Sequence, residues 1–413
     1  LTLGTNFTLN SAAATLVVGT GTLNGNTRTL TFTTGTVTQS TGTLSGASLT
    51  LNGAGASYAI TGAGTVSLTG AITVSSGSVS LDASTVGCVG LTQIGGTITA
   101  GTSAITSSGS VAVTAGTFTE GASILTLTGA GTSVRFTGPL QPYNLVINPG
   151  AGNTVTIDTD DLTVGNNLTV SSGTFATNST TLTVTGAASV VGTLTGSTSP
   201  DTITVNGGTT ASGTINLNGG DFTTTNLTVS GTLVATAAAP AETITITGSI
   251  DFSAAGDDFT QNDSTILMSG ATTPVTINAT GEDGFYNLTI NKAPATVVNL
   301  SSALTITNTL TVTQAELATG ANALTVNTAL NLASGTGTLH LNNAAAGLAL
   351  GANTLTASAG TLLHDLGKIG ADSLTVSGTG TYDGTTAGVG VANLTTDLII
   401  TGGTFSLGDN RIN

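Results

Sequence analysis

Few side chains in this 413-residue sequence are equipped for chemistry, and their spacing narrows the choice further. The acids come in small groups: Asp158/Asp160/Asp161, Asp257/Asp258 and Glu282/Asp283. The runs "DTDD" and "GDD" offer closely spaced oxygens of the kind Ca²⁺ gathers in shells of about six to eight. Neither matches an EF-hand loop or the glycine–aspartate nonapeptide of calcium-binding solenoids. The expectation is therefore no resident cofactor. Ca²⁺ at Asp158, Asp160 and Asp161 is the one metal to test, against a solvated corner as the plainer role. The only histidines are His340 and His364. His364–Asp365 with Lys368 has the residue types of an acid–base set, but no partner cluster supports it, so a surface turn is expected. No glycine run carries the Lys-Ser/Thr of a phosphate loop, and two histidines give no scope for a Ser-His-Asp order. β-Helices that cleave acidic polysaccharides need converging carboxylates beside Arg or Lys. This pattern predicts no catalytic residue and no enzyme.

Modification is the richer signal. Asn6, Asn167, Asn178, Asn226, Asn262, Asn278, Asn287, Asn299 and Asn393 each begin Asn-x-Ser/Thr. A chain that is roughly a fifth Thr produces many such triplets by chance. Glycans at any of them would solubilise a surface that charge does not. Cys88 is the single cysteine, so no intrachain disulfide forms, and a small buried apolar role is expected.

Charge excludes several partners. Net charge is −15, with five basic residues, Arg28, Arg135, Lys292, Lys368 and Arg411. Nucleic acid requires clustered Lys and Arg, and so does docking on anionic lipid. Only 6% of residues are charged, and before Arg135 the only acids are Asp82 and Glu120. No apolar run reaches the ~18 residues of a membrane helix. The sequence starts at Leu1 without Met or signal peptide, which reads as a processed or truncated product.

What must position these residues is a repeat. "LTVGNNLTV" (Leu162–Val170) matches "LTITNTLTV" (Leu304–Val312) and "LTLGTNFTL" (Leu1–Leu9), and "PYNLVIN" (Pro142–Asn148) matches "FYNLTIN" (Phe285–Asn291). The long repeat is about 142 residues, and "DLIITGGTFSLGDNRIN" (Asp397–Asn413) is a further partial copy. Within it, Leu162 returns at Leu182 and Leu304 at Leu324, an interval near 20. Strands reading Leu-Thr-Val alternate apolar and Thr with period two, and Gly and Asn sit where corners need positive φ. These features predict an all-β parallel β-solenoid of roughly 20 coils, each about 20 residues long. Tandem β-sandwich domains are the alternative, with the proline spots "TGPLQPYN" and "ATAAAPAE" as linkers. The domain reading is 1–124, an uncharged Gly/Thr-rich solenoid segment; 125–263, a first long repeat; and 264–413, a second long repeat plus the partial copy. Leu162, Leu168 and Leu182 should point into one lumen with Val164 and Val170, and Leu304, Leu310 and Leu324 should be their equivalents.

Over "FYNLTINKAPATVVNLSSALTITNTLTVTQAELATGANALTV" (Phe285–Val326) the sequence resembles the β-strand-repeat segments of very large bacterial cell-surface proteins. More loosely it is similar to the β-helical stalks of filamentous-haemagglutinin-type adhesins and autotransporter passengers. The likeness covers Leu125–Leu194 and Ser264–Asn413, and the first third shares only composition. It implies a secreted, right-handed β-helix used for reach, adhesion or assembly, and it carries over no catalytic residue.

The expected function is a structural subunit of an extracellular, cell-surface fibre or appendage. Its partners are copies of itself joined head-to-tail through solenoid ends, without nucleic acid or membrane insertion. Lateral contacts through Leu1–Thr119 would be weakly salt-dependent, because little charge is there to screen. The alternative is an adhesin stalk binding cell-surface glycans. Sugar platforms use exposed aromatics, and Trp is absent while Tyr58, Tyr143, Tyr286 and Tyr382 are the only tyrosines. Thr ladders such as "TLTFTTGTVT" (Thr29–Thr38) also raise ice binding, which would need a flat two-strand Thr face.

Overall fold

Val, Leu and Ile at alternate positions, with Thr or Ser between, give each strand one apolar and one hydroxyl-bearing face. Its edges still carry backbone N–H and C=O groups that must be paired. In a computed structural model these are paired by laying each strand beside its counterpart one coil later. The outcome is an all-β parallel β-solenoid of about 18 turns with coils of ~21 residues. Parallel pairing at one-coil separation replaces the antiparallel hairpins that tandem β-sandwiches would need. The structure describes all residues except 199, 237–240, 255, 257, 280–283, 333–335, 344–346, 351–353, 367 and 385–389, and no side chain at 354. No helix occurs among the described residues.

One compact unit comprises Leu1–Ser197 and Asp201–Asn206. Its interior is built from columns of like side chains. Leu23, Leu44, Val66, Val86, Ile105, Leu125, Leu145, Leu168 and Ala188 are successive register partners, and all are buried. On another face Leu30, Leu49, Ile72, Leu91, Val111, Val134 and Ile157 stack in the same way. Burying each such side chain contributes about 1.5–3 kcal/mol. Further along, one coil is three short strands, Leu162–Val164, Leu168–Val170 and Thr174–Ala176. The next coil repeats them in register as Leu182–Val184, Ala188–Val190 and Thr193–Thr195. Leu162, Val164, Leu168, Val170 and Leu182 all face inward, as their alternation predicts.

The corners explain the glycines. Asp82, Gly101 and Gly121 hold φ of 49°, 63° and 58° in successive coils. Each is the second residue of a turn closed by a bond from Ser84 N to Leu81 O, Ser103 N to Ala100 O, or Ser123 N to Glu120 O. A Cβ at Gly101 would stand 2.5 Å from the Asp82 carbonyl oxygen, so stacking as well as φ requires glycine there.

The second compact unit comprises Gly207–Asn413 and Thr198–Pro200. Leu288, Leu310, Leu330, Leu355 and Leu374 form one inward column, and Leu304, Leu324, Leu348, Ile369 and Ala392 another. Leu310 pairs with Leu288 as Leu168 pairs with Leu145, so the two long copies place equivalent leucines in equivalent positions. The 15-residue strand Leu304–Ala318 serves three later strands in turn: Ala323–Val326, Ala329–Leu332 and Thr336–Leu341. Phe252, Phe259 and Phe285 pack together in this interior, with ring centroids 5.6–6.2 Å apart.

Candidate functional site

Because period two sends neighbouring residues to opposite sides of the wall, a polar pair adjacent in sequence is split. His364 and Asp365 show it. His364 is buried, its Nδ1 2.7 Å from the Tyr382 hydroxyl, and Asn410 Nδ2 donates to the His364 carbonyl. Tyr382 stacks on Phe405 at 4.7 Å, and burial pushes its hydroxyl pKa up to about 12, against the opposing pull of the Asn410 bond. Gly390 must lack a side chain, since its Cβ would lie 2.4 Å from His364 Nε2. The expected surface turn at His364 is therefore corrected: the side chain belongs to the interior. Lys368 lies on another strand, Lys368–Val376, paired with Gly347–Ala349 and Val391–Ile400.

Asp365 instead meets His340. The ring sits between two carboxylates, with Nδ1 2.6 Å from Glu316 Oε1 and Nε2 2.9 Å from Asp365 Oδ2. Burial draws the imidazole pKa down, while the bonds and charges of Asp365 and Glu316 outweigh it and leave it raised. Three ionisable side chains thus meet at one place on the wall. No group of three or more His, Cys, Asp or Glu among the described residues is arranged to hold a metal.

The aspartates of "DTDD" diverge. Asp160 accepts from Arg135 Nε at 2.5 Å and from the Thr137 hydroxyl at 2.8 Å, and these bonds hold its carboxyl below the usual range. Asp161 turns to the next coil, accepting from Thr181 N at 2.8 Å. Asp158 offers its backbone carbonyl to Asp160 N. With Arg135 already opposite Asp160, a chelator is expected to leave the melting temperature unchanged within about 1 °C, and added Ca²⁺ likewise. A rise of tens of degrees with Ca²⁺ would make the three aspartates a site. Asp257, Glu282 and Asp283 lie outside the described residues.

Sequon asparagines fall into two sets. Asn262, Asn278 and Asn287 spend their side-chain N–H on Ala235 O, Asp251 and Thr265. Asn6, Asn167, Asn178, Asn226, Asn299 and Asn393 are exposed. Asn6, Asn167 and Asn226 use their amide oxygen to accept from the next coil, at Thr29, Ala187 and Ser249. Cys88 is buried, and that burial raises its thiol pKa against weaker bonds to Ser107 and the Gly90 backbone.

Sequence reasoning missed two buried polar groups. Lys292 donates to Thr247 O and Ser269 O at 2.7 Å each, and burial lowers its pKa. Glu242 takes Gly219 N and Thr236 N on one oxygen, and its other oxygen has no partner among the described residues. Only the inward parity of Lys292 in "FYNLTINK" could have marked it. The chain matches no protein-family model, and no curated protein or solved structure is significantly similar to it.

Proposed function

We propose that this chain is a structural segment of an extracellular cell-surface fibre or stalk, related in kind to the β-strand-repeat segments of large bacterial surface proteins. The observation that carries this reading is the pair of wall properties within each unit. Inward columns of Leu, Ile and Val run unbroken through many coils, while the outer wall is Thr, Ser and Asn with few charges. Such a wall resists extension along its stacked backbone bonds and needs no ligand to stay ordered. No Tyr or Phe among the described residues is fully exposed, which weighs against the glycan-binding adhesin as the primary role.

Assembly is head-to-tail in this proposal. Among the described residues, the strand Phe7–Val18 pairs with the strand Thr29–Gln39 alone. The second edge of such a strand accepts a further coil, from the same chain or from another copy. Light scattering and negative-stain imaging of the isolated chain are expected to show mass and filament length rising with concentration. A dispersed monomer at high concentration would overturn the assembly and leave a stalk continued by its own chain.

A further inference from the structure

The three ionisable groups around His340 come from three successive coils. Glu316 lies on Leu304–Ala318, His340 on Thr336–Leu341, and Asp365 directly follows Thr361–His364. These strands are consecutive parallel partners. The imidazole therefore reaches one coil back and one coil forward with its two ring nitrogens. Its side chain is 17% exposed, and those of Glu316 and Asp365 are 31% and 18% exposed. All three are thus partly shielded from water yet open to proton exchange.

We propose that Glu316, His340 and Asp365 form a pH-dependent clamp across three coils, closed when the ring carries a proton on both nitrogens. With both protons present, each nitrogen donates to a carboxylate oxygen and one positive charge lies between two negative ones. A neutral ring has a single N–H. One nitrogen then turns its lone pair on a carboxylate at 2.6 or 2.9 Å, and two negative charges remain without a cation between them. Loss of one proton removes one of the two bonds.

Three other ionisable side chains lie on the strands around this column. Asp383 is the next ionisable residue in the column, in register with Leu363, which is itself in register with His340. His364 points inward to Tyr382, and Lys368 pairs with other strands.

The folded ring has a raised pKa, so the sign is fixed. The clamp's stabilisation is fully present below the unfolded histidine value of about 6.5, and it is lost as pH rises through the higher folded value. Coils 316–365 are accordingly fastened in mildly acidic surroundings and loosened in alkaline ones.

Two measurements test this on the whole chain. An NMR titration of the two histidines, with His340→Gln assigning the signals, is expected to give His340 a midpoint above 6.5. Glu316→Gln and Asp365→Asn should each lower it. Thermal melts should place the parent about 2–4 °C above His340→Gln near pH 6, the scale for one such contact in a unit of this size, with the gap closing by pH 9. A midpoint at or below 6.5 would overturn the clamp. So would a midpoint indifferent to both carboxamide variants, or a gap constant with pH.

Discussion

Leu168→Asp is expected to remove the folded coils around it at neutral pH while Thr169→Asp leaves them standing. The two residues are adjacent, but they face opposite sides of the wall. Leu168 is buried between Leu145 and Ala188, and Val170, two residues further along the strand, faces the same apolar lumen. A carboxylate there would have no cation and no donor row to meet it. Breaking a buried pair to leave such a charge costs about 3–5 kcal/mol, and a lone introduced charge is no cheaper. Against a typical net stability of about 5–15 kcal/mol, that is enough to unfold a local group of coils. Thr169 stands between Val146 and Ser189 on the outer face, where an added carboxylate stays in water. Far-UV circular dichroism on heating, with hydrogen exchange over 145–190, reads both variants. The burial cost falls on the charged form, so lowering the pH should return part of the lost stability. An unchanged melt of Leu168→Asp would refute the inward assignment of this column.

The fold was legible because period two is a local signal. "LTV" declares its faces within three residues, and the return from Leu162 to Leu182 needs only one further coil. Much of the first third lies outside the long repeat, yet its strands stack in the same way, in a column that runs from Leu30 through Val134. Alternation, rather than the long repeat, was therefore the stronger guide. The polar sites were less legible for geometric reasons. Glu316 and His340 are 24 residues apart, and His340 and Asp365 are 25 apart. A reading tuned to an interval near 20 puts them on different parts of the wall. His364 beside Asp365 looked like one polar turn, yet the same alternation that identified the strands sends the pair to opposite sides. "DTDD" failed in a related way. Closeness along the chain at a corner does not converge side chains, and Asp160 and Asp161 leave in different directions. Burial of Lys292 was written in parity alone, which composition hides because lysine is ordinarily exposed.

Gly109→Ala is expected to destabilise its unit while Gly87→Ala, one coil earlier, is tolerated. Neither glycine has a positive φ, so conformational freedom does not separate them; proximity does. A Cβ on Gly109 would stand 1.6 Å from the carbonyl oxygen of Val89 in the coil beneath. The corner cannot open to make room without moving Ser108, whose N–H bonds to Cys88 O, and Val89, whose N–H bonds to Gly70 O. At Gly87 the nearest atom to an added Cβ is Val66 O at 3.9 Å, an ordinary contact on the outer side of the strand. Overpacking of this kind costs about 1–3 kcal/mol, and each kcal/mol moves the melting point of a unit near 200 residues by about 2–4 °C. Gly109→Ala should therefore melt several degrees below the parent. Gly87→Ala should melt with it or slightly above, since alanine restricts the unfolded chain more than glycine does. The contrast tests coil spacing directly, because the glycine at the corner lies against the preceding coil's backbone and the glycine within the strand does not. Equal melting points for the two variants would mean that the corner at Val89 and Gly109 is not stacked as described.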